Sequence, residues 1–347
     1  MKKISIFKRD FFELTGCIHN HSEYSKDSST PIKEIKEAAK ACFLDYFTLN
    51  DHMNAASWED KDIQDKDLIV IPGMEINDPN ENNHLLVFNS KKIFYSEAEE
   101  YVKKYKEDGA ITFAAHPFEK RATDKLRKYI WTNKKNDLFD GLEIWNGLSD
   151  WVGKIKPNIN GLLFILFPSI FIKKPSRAAI NYWDKLNRQD KKKSAIGSVD
   201  AHHDSYTTKF GLKIRYLSHK FFFKTIRTNI YIPAEKEVNA QNILEALKKG
   251  NSYIINYKNG IPYNFFAGIS NKKNSAILGE EIKFNKDLRF YYRLPKIAKV
   301  KLKKNGLKVD QQRDENGFFT INGPGNYRLE ISNWGRGWIY TNNIYVK

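Results

Sequence analysis

The most constraining feature of this chain is a recurrence: short apolar runs that stop at a histidine or a carboxylate. Gly16-Cys17-Ile18 runs into His19, and Tyr46-Phe47-Thr48-Leu49 runs toward Asp51 and His52. Ile111 to Ala115 leads to His116, and Ala195 to Val199 leads to Asp200 and His202. Leu68 to Ile71 passes through Pro72-Gly73 to Glu75, His84 opens the run Leu85 to Phe88, and Gly141 to Ile144 is another. Helical spacing of apolar residues separates several of these runs, as at Ile32, Ile35, Ala38, Ala39 and Cys42. Ser28-Ser29-Thr30-Pro31 reads as the cap of that helix, with the proline in its first turn. Further helices are predicted over 96–106, 178–186 and 240–249. Strand-then-helix repetition predicts an α/β fold with parallel strands. Polar residues just past the strand ends predict a barrel with its chemistry on the C-terminal face.

The texture changes near Asn259. Helical periodicity ends, and strand-like stretches such as Arg289–Tyr292, Val300–Leu302 and Tyr327–Ile331 alternate with Gly and Asn turns. This predicts a barrel domain over 1–258 and a small C-terminal antiparallel β-sandwich over 259–347. A chain of 347 residues with 41% hydrophobic content has material for two cores.

The net charge of +17 comes partly from lysine runs such as Lys191-Lys192-Lys193. A basic surface can attract nucleic acid, anionic lipid or phosphorylated substrates, but a Lys- and Asn-rich composition that merely keeps the protein soluble is the preferred reading; the substrate is expected to be a small, anionic molecule. No basic stripe coincides with a nucleic-acid motif, so no specific nucleic-acid partner is predicted. The apolar run from Gly161 to Ile172 is shorter than the roughly 20 residues a bilayer span needs and contains Pro168. A buried loop or lid is the preferred reading there over peripheral membrane contact. Two cysteines, Cys17 and Cys42, form no CxxC pair and fit a reducing compartment. Met1 to Phe12 is charged and lacks an apolar signal core, so a cytoplasmic location is expected. Oligomeric state is not legible.

Six of the eight histidines fall at or near predicted strand ends: His19, His21, His52, His84, His116 and His202. In a strand, residues two apart face one side, so the pairs His19/His21 and Asp200/His202 can each address one ion. Glu75 follows Pro72-Gly73, read as a turn at a strand end, and a carboxylate can bridge two cations. Mixed nitrogen and oxygen donors suit zinc, manganese or iron.

These residues resemble a known family. His19-Asn-His21-Ser-Glu-Tyr-Ser25-Lys-Asp27, Asp51-His52, Gly73-Met-Glu75, His84, Ala115-His116-Pro117 and Asp200-Ala-His202 are similar to the PHP (polymerase and histidinol phosphatase) superfamily. Asp200-Ala-His202-His203, Trp183-Asp-Lys-Leu186 and Trp338 to Val346 resemble its carbaryl hydrolase branch. The resemblance implies a distorted (β/α)7 PHP barrel holding two or three divalent metals. It implies one metal on His19, His21, Glu75 and Asp200. A second would take Glu75, His84 and His116, and a third Asp27, His52 and His202.

Such a site implies hydrolysis by a metal-activated water. Phosphoester cleavage on a small phosphorylated substrate is the leading expectation. Carboxylic ester, carbamate or amide hydrolysis, and a non-enzymatic metal-bearing binding module, stay open beside it. Asp51, Arg121 and His203 are candidate catalytic residues. Asp51 would orient an imidazole, Arg121 would bind a substrate anion, and His203 would protonate a leaving group. Glu143, Asn146 and Lys209 are further candidates for lining the site, whereas His219 reads as structural.

Overall fold

The sequence folds as a mixed α/β protein, seen in a computed structural model that describes residues 1–124, 126–135, 137–154, 167–202, 204–207 and 213–347. Two compact units emerge. One gathers Thr15–Ala179 and Gly197–Arg227; the other gathers Met1–Leu14, Ile180–Ile196 and Thr228–Lys347. The chain therefore passes between units several times. The single boundary at 258/259 stands as a proposal about independently folding pieces.

The first unit carries the ligand-rich runs. β1 (Lys2–Ile6) and the start of β2 (Arg9–Cys17) form a hairpin, and the end of β2 enters this unit. β2 pairs in parallel with β3 (Tyr46–His52), and β3 with β4 (Ile69–Ile76). The β2–β3 crossover is α1 (Ile32–Ala41), which buries Ile32, Ile35 and Ala39. Each isoleucine so buried stabilises by about 1.5–3 kcal/mol. Pro31 stands at the N-cap, one residue earlier than predicted, and caps with no side-chain bond. The Ser28 hydroxyl is drawn away to the carbonyl of His21.

Not every strand is parallel. β5 (Leu85–Phe88) runs antiparallel to β4 and to β6 (Ile111–Ala114). The reason is chain length: only residues 77–84 join β4 to β5, too few for the dozen or more that a parallel crossover needs. Gly73 lets this strand come close, because a Cβ there would sit 2.7 Å from the Phe88 ring and the Val87 carbonyl. α2 (Ala98–Glu107) returns the chain to β6, burying Tyr101, Val102 and Tyr105. Glu99 and Glu100 open it and Lys104 and Lys106 close it, which suits its dipole. β6 pairs in parallel with β7 (Gly141–Asn146), and the short α3 (Gly147–Val152) follows at once. β8 (Ser194–Ser198) is the last strand before the Asp200 segment. Regular strand–helix alternation is thus interrupted.

The second unit is rich in antiparallel pairing. Arg289–Lys304 pairs with Leu307–Thr320 and Gly325–Asn333, and the latter with Arg336–Thr341. One short pair, Glu281–Ile282 with Tyr345–Val346, is parallel. The two predicted strands near 290 and 300 are one element whose register shifts between Arg293 and Ala298. Pro295, which has no N–H to donate, falls within that shift. Phe290, Val300, Leu302, Leu329, Ile331 and Trp338 are fully buried in this core. A helix at Ala240–Lys249, ended by Gly250 at φ 75°, matches its prediction. No helix among the described residues is long and apolar enough to cross a membrane.

Candidate metal centre

The site is assembled where β2 and β8 end. Beyond Cys17 the chain leaves strand geometry, and His19 takes a left-handed φ of 69°. Val199 N–H donates to the Ile18 carbonyl, Ala201 N–H to that of His19, and His21 N–H to that of Ala201. Asn20 and Ala201 form an isolated parallel bridge. Two short segments are thereby zipped together, bringing Asp200 and His202 beside His19 and His21. The two-apart pairs converge through this bridge and through left-handed backbone at His19 and at Asp200 (φ 56°), not through the strand pleat. His116 also has positive φ, at 26°. Such conformations cost about 1–3 kcal/mol each and gather at functional sites. Glu75 lies within β4, which continues straight through Pro72-Gly73, so no turn presents it.

Glu75 is the hub. Its Oε2 lies 3.0 Å from His19 Nε2, 3.4 Å from His21 Nε2 and 3.3 Å from His52 Nε2. Its Oε1 lies 2.7 Å from His84 Nδ1 and 3.0 Å from His116 Nε2. Asp200 Oδ1 lies 3.4 Å from His19 Nε2 and 3.3 Å from His21 Nε2. Asp27 Oδ2 is 3.2 Å from both His52 Nε2 and His202 Nε2. All nine predicted ligands thus converge.

Three donor groups overlap here. His19, His21, Glu75 and Asp200 form one, His21, Asp27, His52 and His202 another, and His52, Glu75 and His84 a third. Within each, the donor atoms lie within 4.8 Å of one another. The first is the set the resemblance implies. In the others the geometry adds His21 to the Asp27 group and brings His52 beside Glu75 and His84, with His116 reaching the same Glu75 oxygen. These residues fit divalent cations. Four donors at metal distances of about 2.0–2.1 Å are separated from one another by about 3.3 Å. Separations of 3.2–3.4 Å recur throughout the cluster. His21 Nε2 is fully buried, points at two carboxylates, and makes no hydrogen bond.

The electrostatics match. Burial pushes the Glu75 and Asp200 carboxyls up, but the surrounding imidazoles outweigh it and hold both well below the usual range. Asp27 is lowered likewise: His202 and His52 overcome its burial. Burial, together with the charges on His202, His52 and His19, drives His21 down to about 3, against the pull of the Asp200 carboxylate. Burial also dominates at His84 and lowers it. His116 goes the other way, to about 10, because Glu75 outweighs its burial, and His202 rises to about 9 against burial through Asp200 and Asp27.

Around the donors sits a supporting set. Glu143 Oε1 holds His19 Nδ1 at 2.7 Å, and its Oε2 accepts from the His116 amide at 2.7 Å and the Asn146 amide group at 3.0 Å. Asn146 also donates to Asp200 and caps α3 by accepting from Ser149 N–H. Ser25 donates to Asp27, accepts from His52 N–H, and lies 3.2 Å from His21 Nδ1. Asp51 does not turn to an imidazole in hydrogen bonding: it accepts from the amide and hydroxyl of Ser22, and burial raises its pKa. It braces the ligand loop. Arg121 pairs with Glu119 at 2.7 Å and donates to the Arg127 carbonyl. Glu119, whose pKa burial raises, was not foreseen; only its position three residues after His116 hinted at it. His219, read as structural, reaches the His21 carbonyl through Nε2 at 3.1 Å. His203 and Lys209 lie outside the described residues, as does the first half of the run from Gly161 to Ile172.

The centre opens into a cavity of about 310 Å³. Lys26, Arg121, Tyr129 and Trp151 line it together with Asp27, Glu75 and His202.

Residues 18–129 match the family model of the PHP domain. His19 through His116 fall inside the matched span, and Asp200 and His202 lie beyond it. No curated protein matches the chain. Among solved structures, a two-domain protein of Bacteroides vulgatus, assigned as containing a PHP-like metal-dependent phosphoesterase, is 16% identical. The alignment covers 96% of this chain and 95% of that one, with a TM-score of 0.46. A protein of Bifidobacterium adolescentis assigned as a metal-dependent phosphoesterase is 13% identical, over 67% of this chain and 95% of that one, with a TM-score of 0.39.

Proposed function

We propose that this protein is a metal-dependent hydrolase, and that it cleaves a phosphoester in a small anionic substrate. The observation that carries the reading is the convergence of six imidazoles and three carboxylates: five of the imidazoles and all three carboxylates form overlapping donor groups, two of which share Glu75, and His116 reaches the same Glu75 oxygen as His84. His19, His21, Glu75 and Asp200 would hold one cation, and the groups around Asp27 and His84 would hold others. Bound there, divalent cations supply Lewis acidity and a water that ionises near neutral pH. Glu143 fixes the ring of His19 through Nδ1 and leaves Nε2 free to face the cluster. Asn146 ties Glu143 to Asp200, so two donors move as one. Arg121 and Lys26 line the cavity paired with Glu119 and Glu81, so the charge that would draw an anionic substrate is that of the bound cations. Trp151, Leu148 and Val152 close one side to water.

Zinc, manganese and iron all suit the donor set. The test is a panel of phosphoesters, aryl esters, carbamates and amides given to metal-loaded protein. Phosphoester turnover that disappears in His21→Ala is the expected result. Cleavage of esters or carbamates alone, also lost in His21→Ala, would move the assignment to carboxyl chemistry. No turnover by a metal-loaded protein would leave the binding-module reading.

A further inference from the structure

A second cavity, of about 330 Å³, lies behind α3. The helix stands between it and the metal cavity, with Leu148, Trp151 and Val152 on the metal side and Ser149 and Asp150 on this one, while His116 and Glu119 line both. Its wall is apolar where it is deepest. Trp145, Ile144 and Ala179 are buried, and Pro175 and Phe118 complete that surface. Its rim is cationic, with Lys154, Lys173, Lys174 and Arg177.

The charges on this wall are unevenly satisfied. Every carboxylate is engaged: Glu119 with Arg121, Glu143 with His19 and Asn146, and Asp150 with Lys154 and the Lys173 backbone amide. The side chains of Lys173, Lys174 and Arg177 have no carboxylate partner among the described residues. Burial lowers the Lys154 ammonium's pKa, and Lys173 and Lys174 add to that against Asp150, so the three lysines are close enough to repel. The hydroxyl of Ser176, on the same wall, is buried and without a hydrogen-bond partner. A pocket with an apolar floor, an unmatched hydroxyl and mutually repelling cations is unfavourable when it holds only water.

We infer that this cavity is a binding site for an amphipathic organic anion: an aromatic or aliphatic body seated on Trp145 and Phe118, with its carboxylate, sulfonate or phosphate among Lys154, Lys173 and Lys174. The cavity borders the metal centre, sharing His116 and Glu119 with it, but Lys154, Lys173 and Lys174, where the anion would sit, line this cavity and not the metal one, and the inference does not depend on the hydrolase reading.

Two inert probes of one shape, 2-naphthoate and neutral 2-naphthamide, test it by calorimetry and tryptophan fluorescence on the full-length, metal-loaded protein. Naphthoate should bind saturably and the amide more weakly. Lys173→Glu/Lys174→Glu, which changes exposed side chains only, should weaken naphthoate by about tenfold or more, and Lys173→Arg/Lys174→Arg should restore most of it. Inorganic phosphate alone should bind too weakly to compete. His21→Ala should leave naphthoate binding intact even if it abolishes all turnover, which separates this site from the metal centre. Equal binding of amide and anion, no saturable naphthoate binding, or affinity unchanged by the glutamate pair would each overturn the inference. Loss of naphthoate binding in a folded His21→Ala protein would do the same.

Discussion

Both units bury charge, and they do so in opposite ways. In the second unit Arg328, only 1% exposed, gives its terminal nitrogens to Asp184 and Glu330 and lies over the Trp183 ring at 4.7 Å. Tyr253 donates there to the buried Glu13 and accepts from Asn229. Opposite charges and matched donors face one another, so the network is nearly complete. In the first unit most buried titratable groups are imidazoles and carboxylates, and those of the metal centre aim their nitrogens and oxygens at common points. His21 Nε2 faces Glu75 and Asp200 without a hydrogen bond to either, and its ring stacks 4.0 Å from that of His202. Completed buried pairs are structural, whereas donors of one chemical type converging at metal-ligand separations mark a place for cations.

The largest break to this contrast comes from Glu75→Ala. Removing the shared carboxylate should cut turnover by about a thousandfold or more and empty the donor groups of metal, with the fold kept. Circular dichroism and elemental analysis check it. Arg328→Ala should behave in reverse. It strands buried Asp184 and half-buried Glu330 and should destabilise the protein by about 3–5 kcal/mol in denaturant unfolding, while turnover per folded molecule stays unchanged. If both variants lost metal, or both lost only stability, the distinction between the two networks would fail.

Smaller effects sharpen it. Glu143→Gln keeps the shape but weakens the hold on His19, and should lower metal affinity by about 10–100-fold. The pH response follows from His116 and His202, raised to about 10 and 9. Their protonated forms stabilise the metal-free fold fully below the ordinary histidine pKa of about 6.5, and that contribution is lost as pH climbs through 9 and 10. Cations need neutral imidazoles, so metal binding near neutral pH should release protons. Binding heats that differ between Tris and HEPES buffers would show the release; identical heats would contradict it. A milder shift of the same kind is expected for Asp51→Asn, which loosens only the Ser22 turn.

Much of this centre was legible in the sequence because ligands at strand ends are a local signal. A histidine or carboxylate that closes an apolar run can be read without knowing which strands touch. What the residues could not supply was the route by which they meet. The His19 and Asp200 pairs suggested a strand pleat, but left-handed backbone and an Asn20–Ala201 bridge bring them together, and such a bridge joins residues far apart in sequence. β5 looked like one more parallel strand until its connection, residues 77–84, proved too short for a crossover. Glu119 gave only the hint of its place three residues after His116, and the role of Ser25 was not visible from the motif that contains it, since each acts through neighbours that only the fold provides. Trp183-Asp184, noted as a sequence motif, turns out to seat Arg328.

The most direct test is elemental analysis of the full-length protein after growth with zinc, manganese and iron supplied, with His21→Ala prepared in parallel. The account predicts two to three equivalents of divalent metal per chain, one for each donor group, and a clear loss in the variant. A folded wild-type protein that retains and rebinds essentially no divalent metal would contradict it.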